Sequence, residues 1–132
     1  MLSYVFPAVF EPEAEGGFSI YFPDLRGCYS QGDDIADGIA MASDALALRL
    51  YCLEKDGKDI PVPSSIDSIP VGNGSFVTYI SANTLEYQMR NSSKAVKKTL
   101  SIPEWLNERA VAAGVNFSQT LQDALKAQLH LV

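Results

Sequence analysis

The 132-residue chain is poor in almost every residue type that catalysis or cross-linking draws on. It has one histidine, His130, and two cysteines, Cys28 and Cys52. Two unpatterned cysteines exclude a disulfide framework and a zinc site. Both sit among apolar neighbours and read as buried free thiols. A general base needs an orienting partner and a pocket. His130, near the C-terminal end, has neither, and its expected role is to meet the negative end of a helix. Ser-His-Asp and Cys-His catalysis would have to recruit that same residue. Carboxylates are missing where metal-dependent nuclease chemistry needs them, since neither Val5–Phe10 nor Phe18–Phe22 holds an Asp or Glu. No catalytic residue, metal or cofactor is expected, and the chain reads as a non-enzyme. No apolar run approaches the ~20 residues of a membrane span. Met1-Leu2-Ser3-Tyr4 lacks the basic start of a secretory signal, so the expected location is cytoplasmic.

Cations are also scarce, with 10 Lys/Arg against 16 Asp/Glu and a net charge of −6. The deficit is uneven. Residues 1–93 hold 13 Asp/Glu and 5 Lys/Arg, whereas residues 94–132 hold 3 and 5. One end is therefore at −8 and the other at +2, which suggests two surfaces with different partners.

What the chain does have is clear periodicity. Leu2 to Phe10 alternates with apolar residues on both faces, as in an interior strand. Glu11-Pro12-Glu13-Ala14-Glu15-Gly16-Gly17 reads as a turn, and Phe18 to Phe22 as the second strand of a hairpin. Cys28 to Gln31 forms a short third strand. Asp33 and Asp34 offer N-cap carboxylates to a long helix, whose stripe is Ile35, Ile39, Ala42, Leu46, Leu50 and Leu53. Gly57 stops it. A loop rich in proline and glycine follows to Gly74; Gly72-Asn73-Gly74 is a turn in it, with no Lys or helix start after it to make a phosphate loop. Phe76 to Ser81 is a further strand. The expected fold class is α+β, with one helix across an antiparallel sheet. Tyr4, Tyr21 and Tyr29 read as packing residues of this acidic half rather than a base-stacking platform.

The domain boundaries expected are 1–90, a small polar linker at 91–95, and 96–132. In the last segment Val96 to Ile102 reads as a strand and Pro103 opens a helix. Trp105, Leu106, Ala110 and Ala113 line that helix and Gly114 ends it. Asn116 caps a second helix in a capping box with Gln119, continued by Leu121, Ala124, Leu125 and Leu129. A lone strand with two short helices cannot bury its apolar face or pair its backbone. Two copies can, by pairing their strands into a ribbon backed by four helices. Leu100 and Ile102 would then face inward, and Lys97, Thr99 and Ser101 outward, where a two-stranded ribbon fits a major groove.

Lys97-Lys98-Thr99-Leu100-Ser101-Ile102-Pro103 with Trp105-Leu106, then Gly114-Val115-Asn116-Phe117-Ser118, resembles the ribbon-helix-helix repressors. That resemblance places Lys97, Thr99 and Ser101 at base-reading positions. It sets Asn116, Phe117 and Ser118 against a DNA phosphate through backbone N–H groups. Ser101 stands where family members often carry Arg or Asn.

The remaining segments are Tyr4-Val5-Phe6-Pro7-Ala8-Val9-Phe10-Glu11-Pro12, Gly17-Phe18-Ser19-Ile20-Tyr21-Phe22-Pro23-Asp24-Leu25 and Gly27-Cys28-Tyr29-Ser30-Gln31-Gly32-Asp33. Together they resemble the HicB antitoxins of bacterial HicA–HicB toxin–antitoxin pairs. The resemblance implies a partial RNase H-like domain that binds and blocks a small HicA ribonuclease, with the C-terminal module repressing the operon that encodes both. A ribonuclease presents cations to RNA, so an inhibitor domain at −8 is complementary to it. The turn carboxylates Glu11, Glu13, Glu15, Asp24, Asp33 and Asp34 are the candidate toxin contacts. A homodimer is expected through the ribbon, or a homotetramer if the first domain also self-associates. The alternative is a HicB-like regulator without a toxin, its acidic domain serving oligomerisation.

Overall fold

Five consecutive residues, Phe6 to Phe10, are buried on both faces of the first strand, which requires a neighbour on each edge and a layer on each side. The structure, a computed structural model, describes residues 3–131 and gives the strand a neighbour on each edge. Four antiparallel strands, β1 (Ser3–Pro12), β2 (Phe18–Tyr21), β3 (Tyr29–Gly32) and β4 (Phe76–Asn83), lie in the order β3-β2-β1-β4. The interior position of β1 is the one its sequence predicts. Leu2, where the strand was expected to begin, lies outside the described residues. β1 also runs further than expected, because Glu11 pairs with Ser19 and Pro12 with Phe18. The turn is thus confined to the residues after Pro12, where Glu13 N–H donates to Gly17 O at 3.0 Å.

Helix α1 (Ile35–Lys55) crosses the sheet and closes a core of Phe6, Phe10, Ile20, Leu46, Leu50 and Ile80. Two carboxylates close its N-terminus. Asp34 accepts the Asp37 N–H at 2.8 Å, and Asp37 accepts the Asp33 N–H at 2.8 Å. The expected stripe is corrected at its start, where Ile35 and Ile39 are exposed and Gly38 is buried instead. The reason is a close approach of backbones. A Cβ on Gly32 would sit 2.3 Å from Gly38 Cα, and one on Gly38 would sit 2.9 Å from the Phe10 ring. Only hydrogen at both positions lets α1 lie this near β3. Phe10 in turn stacks on Phe76 with ring centroids 5.0 Å apart.

Residues 56–75 form a loop with a short 3-10 turn, Ile66–Ser68. Asp24 fastens it by accepting both the N–H (2.8 Å) and the hydroxyl of Ser64. Helix α2 (Thr84–Asn91) follows β4 directly and was not expected. Asn83 caps it, accepting the Glu86 N–H at 2.9 Å, and Tyr87 packs on Tyr51 of α1 with ring centroids 5.7 Å apart. The helix takes up Asn91, the first residue of the expected linker.

The chain divides into two compact units, Met1–Lys94 and Ala95–Val132. The second contains α3 (Glu104–Ala112) and α4 (Phe117–Gln128). Residues 96–102, expected as a strand, carry no ladder in the single chain. An extended segment satisfies its backbone through a neighbouring strand, and none of the described strands pairs with it. No helix of the described residues is long and apolar enough to cross a membrane.

Candidate functional site

The second unit is built around two caps. Pro103 is the cap residue of α3 rather than its first helical residue, a shift of one position. Gly114, at φ +70°, ends α3 in the left-handed region. Its N–H donates to Val111 O and the Val115 N–H to Ala110 O, both at 3.0 Å. Asn116 then caps α4, accepting the Gln119 N–H at 3.0 Å. The expected capping box is half formed. The Gln119 amide donates to Asp123 at 2.9 Å instead of returning to Asn116, because that partner lies one turn along the same helix face. Asn116, Phe117 and Ser118 therefore sit together at the start of α4, where backbone N–H groups point away from the helix. Ser118 accepts a hydrogen bond from Gln122 at 3.2 Å. His130 adopts φ 57° just past α4, with its N–H on Ala127 O at 3.2 Å. It thus terminates the helix through its backbone.

Lys97, Thr99 and Ser101 are exposed along residues 96–102, and so are Leu100 (63%) and Ile102 (46%). Neither α3 nor α4 has a buried residue. Trp105 and Leu129 are more than 60% exposed, and Leu106, Phe117 and Leu125 also reach solvent. Apolar exposure this extensive marks an interaction surface. The inward positions assigned to Leu100 and Ile102 have nothing to face in one copy.

The six acidic candidates of the first unit separate into two groups. Asp24 holds the Ser64 loop, Asp34 caps α1, and Glu13 accepts the Ser19 hydroxyl. These three carboxylates are engaged in the fold. Glu11, Glu15 and Asp33 are exposed and are not gathered into a site. Among the described residues no three His, Cys, Asp or Glu side chains cluster as metal ligands would. Cys28 is buried with its Sγ 3.7 Å from Ala45 O. Burial pushes its thiol up to about 11, opposed in part by the charge of Arg49.

A feature missed in the sequence is an open groove of about 470 Å³. Tyr29 and Gln31 of β3, Met41 and Leu48 of α1, and Tyr87 and Arg90 of α2 line it. The helical spacing of Met41, Asp44 and Leu48 was available as a signal, but such spacing reads as core unless burial is known.

The chain is similar to known proteins in sequence and in structure. It is 34% identical over 61 residues to Antitoxin HicB 1 of Photorhabdus laumondii, covering 46% of this chain and 39% of that one. It is 32% identical over 63 residues to Antitoxin HicB of Escherichia coli K12, covering 48% and 46%. The matched stretches thus span less than half the length of these relatives. A chain of the toxin–antitoxin complex from Streptococcus pneumoniae is similar in structure, with a TM-score of 0.64 and 28% identity. That likeness covers 96% of this chain and 99% of the other. The family described as HicB_like antitoxin of bacterial toxin-antitoxin system matches residues 6–122, and the chain belongs to it.

Proposed function

We propose that the chain is the antitoxin of a HicA–HicB pair, acting by binding rather than catalysis. The first unit sequesters a HicA-like ribonuclease. Residues 95–132 of two copies form a ribbon-helix-helix that represses the operon. The observation that carries this reading is a family match running from residue 6 to residue 122, through both compact units. The charge division supports it. A ribonuclease must offer Lys and Arg to phosphates, and the acidic first unit attracts such a surface and speeds its encounter.

The second unit supports dimerisation on energetic grounds. Pairing two copies of residues 96–102 supplies ladder partners and turns Leu100 and Ile102 toward the helices. It also removes Trp105, Leu106 and Leu125 from water, each worth roughly 1.5–3 kcal/mol when fully buried. Lys97, Thr99 and Ser101 are then presented on the ribbon's outer face for base edges, and the start of α4 for a phosphate. A further pairing through the first unit would make a homotetramer.

The domain roles are tested by truncation after Lys94. The shortened chain should still neutralise the HicA-like protein but lose operator binding in a gel-shift assay. Retained operator binding would overturn the assignment of DNA recognition to residues 95–132.

A further inference from the structure

β3 is an edge of the sheet among the described residues, so one side of its backbone is open to a further strand or a polar partner. Beside it α1 turns a second stripe outward, Met41, Asp44 and Leu48, distinct from the stripe that forms the core. Tyr29 is 72% exposed, Met41 45% and Leu48 48%. These large apolar groups border the groove described above, and a solitary soluble chain gains nothing by keeping them in water.

Charge decides what can cover them. Residues 29–48 hold Asp33, Asp34, Asp37 and Asp44 and not one Lys or Arg. Asp37 and Asp44 lie on the same face of α1 as Met41 and Leu48 by their helical spacing, and two copies meeting here would bring together two first units at −8 each, which like-charge repulsion opposes. Arg90 pairs with Asp44 at 3.2 Å, and with both side chains 61% exposed the pair is weak enough for a partner's cation to take its place. A partner with apolar side chains ringed by Lys and Arg fits on both counts.

We infer that this groove is the docking site for a basic, RNA-binding protein of the HicA type. The partner's apolar residues pack on Tyr29, Met41 and Leu48, and its cations lie over Asp37 and Asp44. The inference rests on the antitoxin reading and replaces the scattered turn carboxylates as its contact surface.

The test is calorimetric titration of the full chain with a small, basic HicA-like protein. Met41→Lys and Leu48→Lys change exposed side chains and leave the core untouched. Each should weaken binding by at least roughly thirtyfold, the loss expected for an interface anchor. Met41→Glu should cost less than Met41→Lys, and Val62→Lys, exposed and outside the groove lining, should cost nothing. Amide exchange on the unsubstituted complex is the second readout, with slowed exchange expected at Tyr29–Gly32. Unchanged affinity of both lysine variants, or unprotected β3 amides, would overturn the groove while leaving the antitoxin reading intact. No binding by the unsubstituted chain would overturn both. If Met41→Lys instead breaks an oligomer of the free chain in light scattering, the groove belongs to a second copy and the inference fails.

Discussion

Replacing Gly32 by Ala tests the contact that sets the position of α1. A methyl group at Gly32 would meet backbone atoms, Gly38 Cα at 2.3 Å and Gly38 N at 2.4 Å. Ordinary carbon contacts lie near ~3.5–4.0 Å, so the start of α1 must move by more than about 1 Å or β3 must bend. Overpacking of this kind costs about 1–3 kcal/mol and more when backbone must shift. The loss of glycine's unfolded-state entropy returns about 0.5–1 kcal/mol. Taken at the upper end because backbone atoms must shift, the net expectation is about 2 kcal/mol of destabilisation, confined to the first unit. Cys28 reports on that unit directly, because its thiol is buried and its pKa raised to about 11. In a Cys52→Ala background, labelling by a thiol reagent proceeds through opening of the unit. Gly32→Ala should speed labelling by roughly 30-fold. Gly72→Ala, where a Cβ meets nothing within 4 Å, should leave it unchanged. Equal rates for Gly32→Ala and the parent would refute the claim that this approach demands glycine.

Other expectations follow from single contacts. Asn116→Ala removes the cap on α4 and should cost about 1 kcal/mol, seen as a lower midpoint in a denaturant titration followed by Trp105 fluorescence. Tyr4 donates to Glu54 at 2.6 Å. Desolvation first, and then the hydrogen bond and charge of Glu54, push its phenol from 10.0 to about 12. A pKa raised by folding gives stability that is complete below pH 10 and lost as pH climbs toward 12. Tyr4→Phe should flatten that alkaline fall in melting temperature, and a parent-like fall would remove Tyr4 as its source. Lys97→Ala should weaken operator binding by ~1–3 kcal/mol if it reads a base edge, measured by fluorescence anisotropy.

Much of this architecture was legible because local signals agreed. β1 shows as interior because Phe6 to Phe10 leave no polar face. Asp34 and Asn116 show as caps because short carboxyl and amide side chains at helix starts have one obvious task. The misses have physical causes too. Periodicity scores apolarity, so it placed Ile35 and Ile39 inside and overlooked Gly38, whose value is its lack of bulk. Helix α2 follows β4 with no glycine or proline between them, and its eight residues are too few for a clear stripe. The groove stayed hidden because Tyr29, Met41 and Leu48 look like core until burial is seen. Of the acidic candidates, charge alone could not tell Asp24, fastened to Ser64, from Glu15, exposed at a turn.

The central proposal, that the chain silences a ribonuclease by binding it, is tested most directly by titrating it into the RNA-cleavage reaction of a HicA-like protein. The account predicts that cleavage falls linearly and ends at a fixed stoichiometric equivalence, with inhibition weakened by added salt as the acidic surface is screened. Cleavage that continues undiminished in excess of the chain would contradict it.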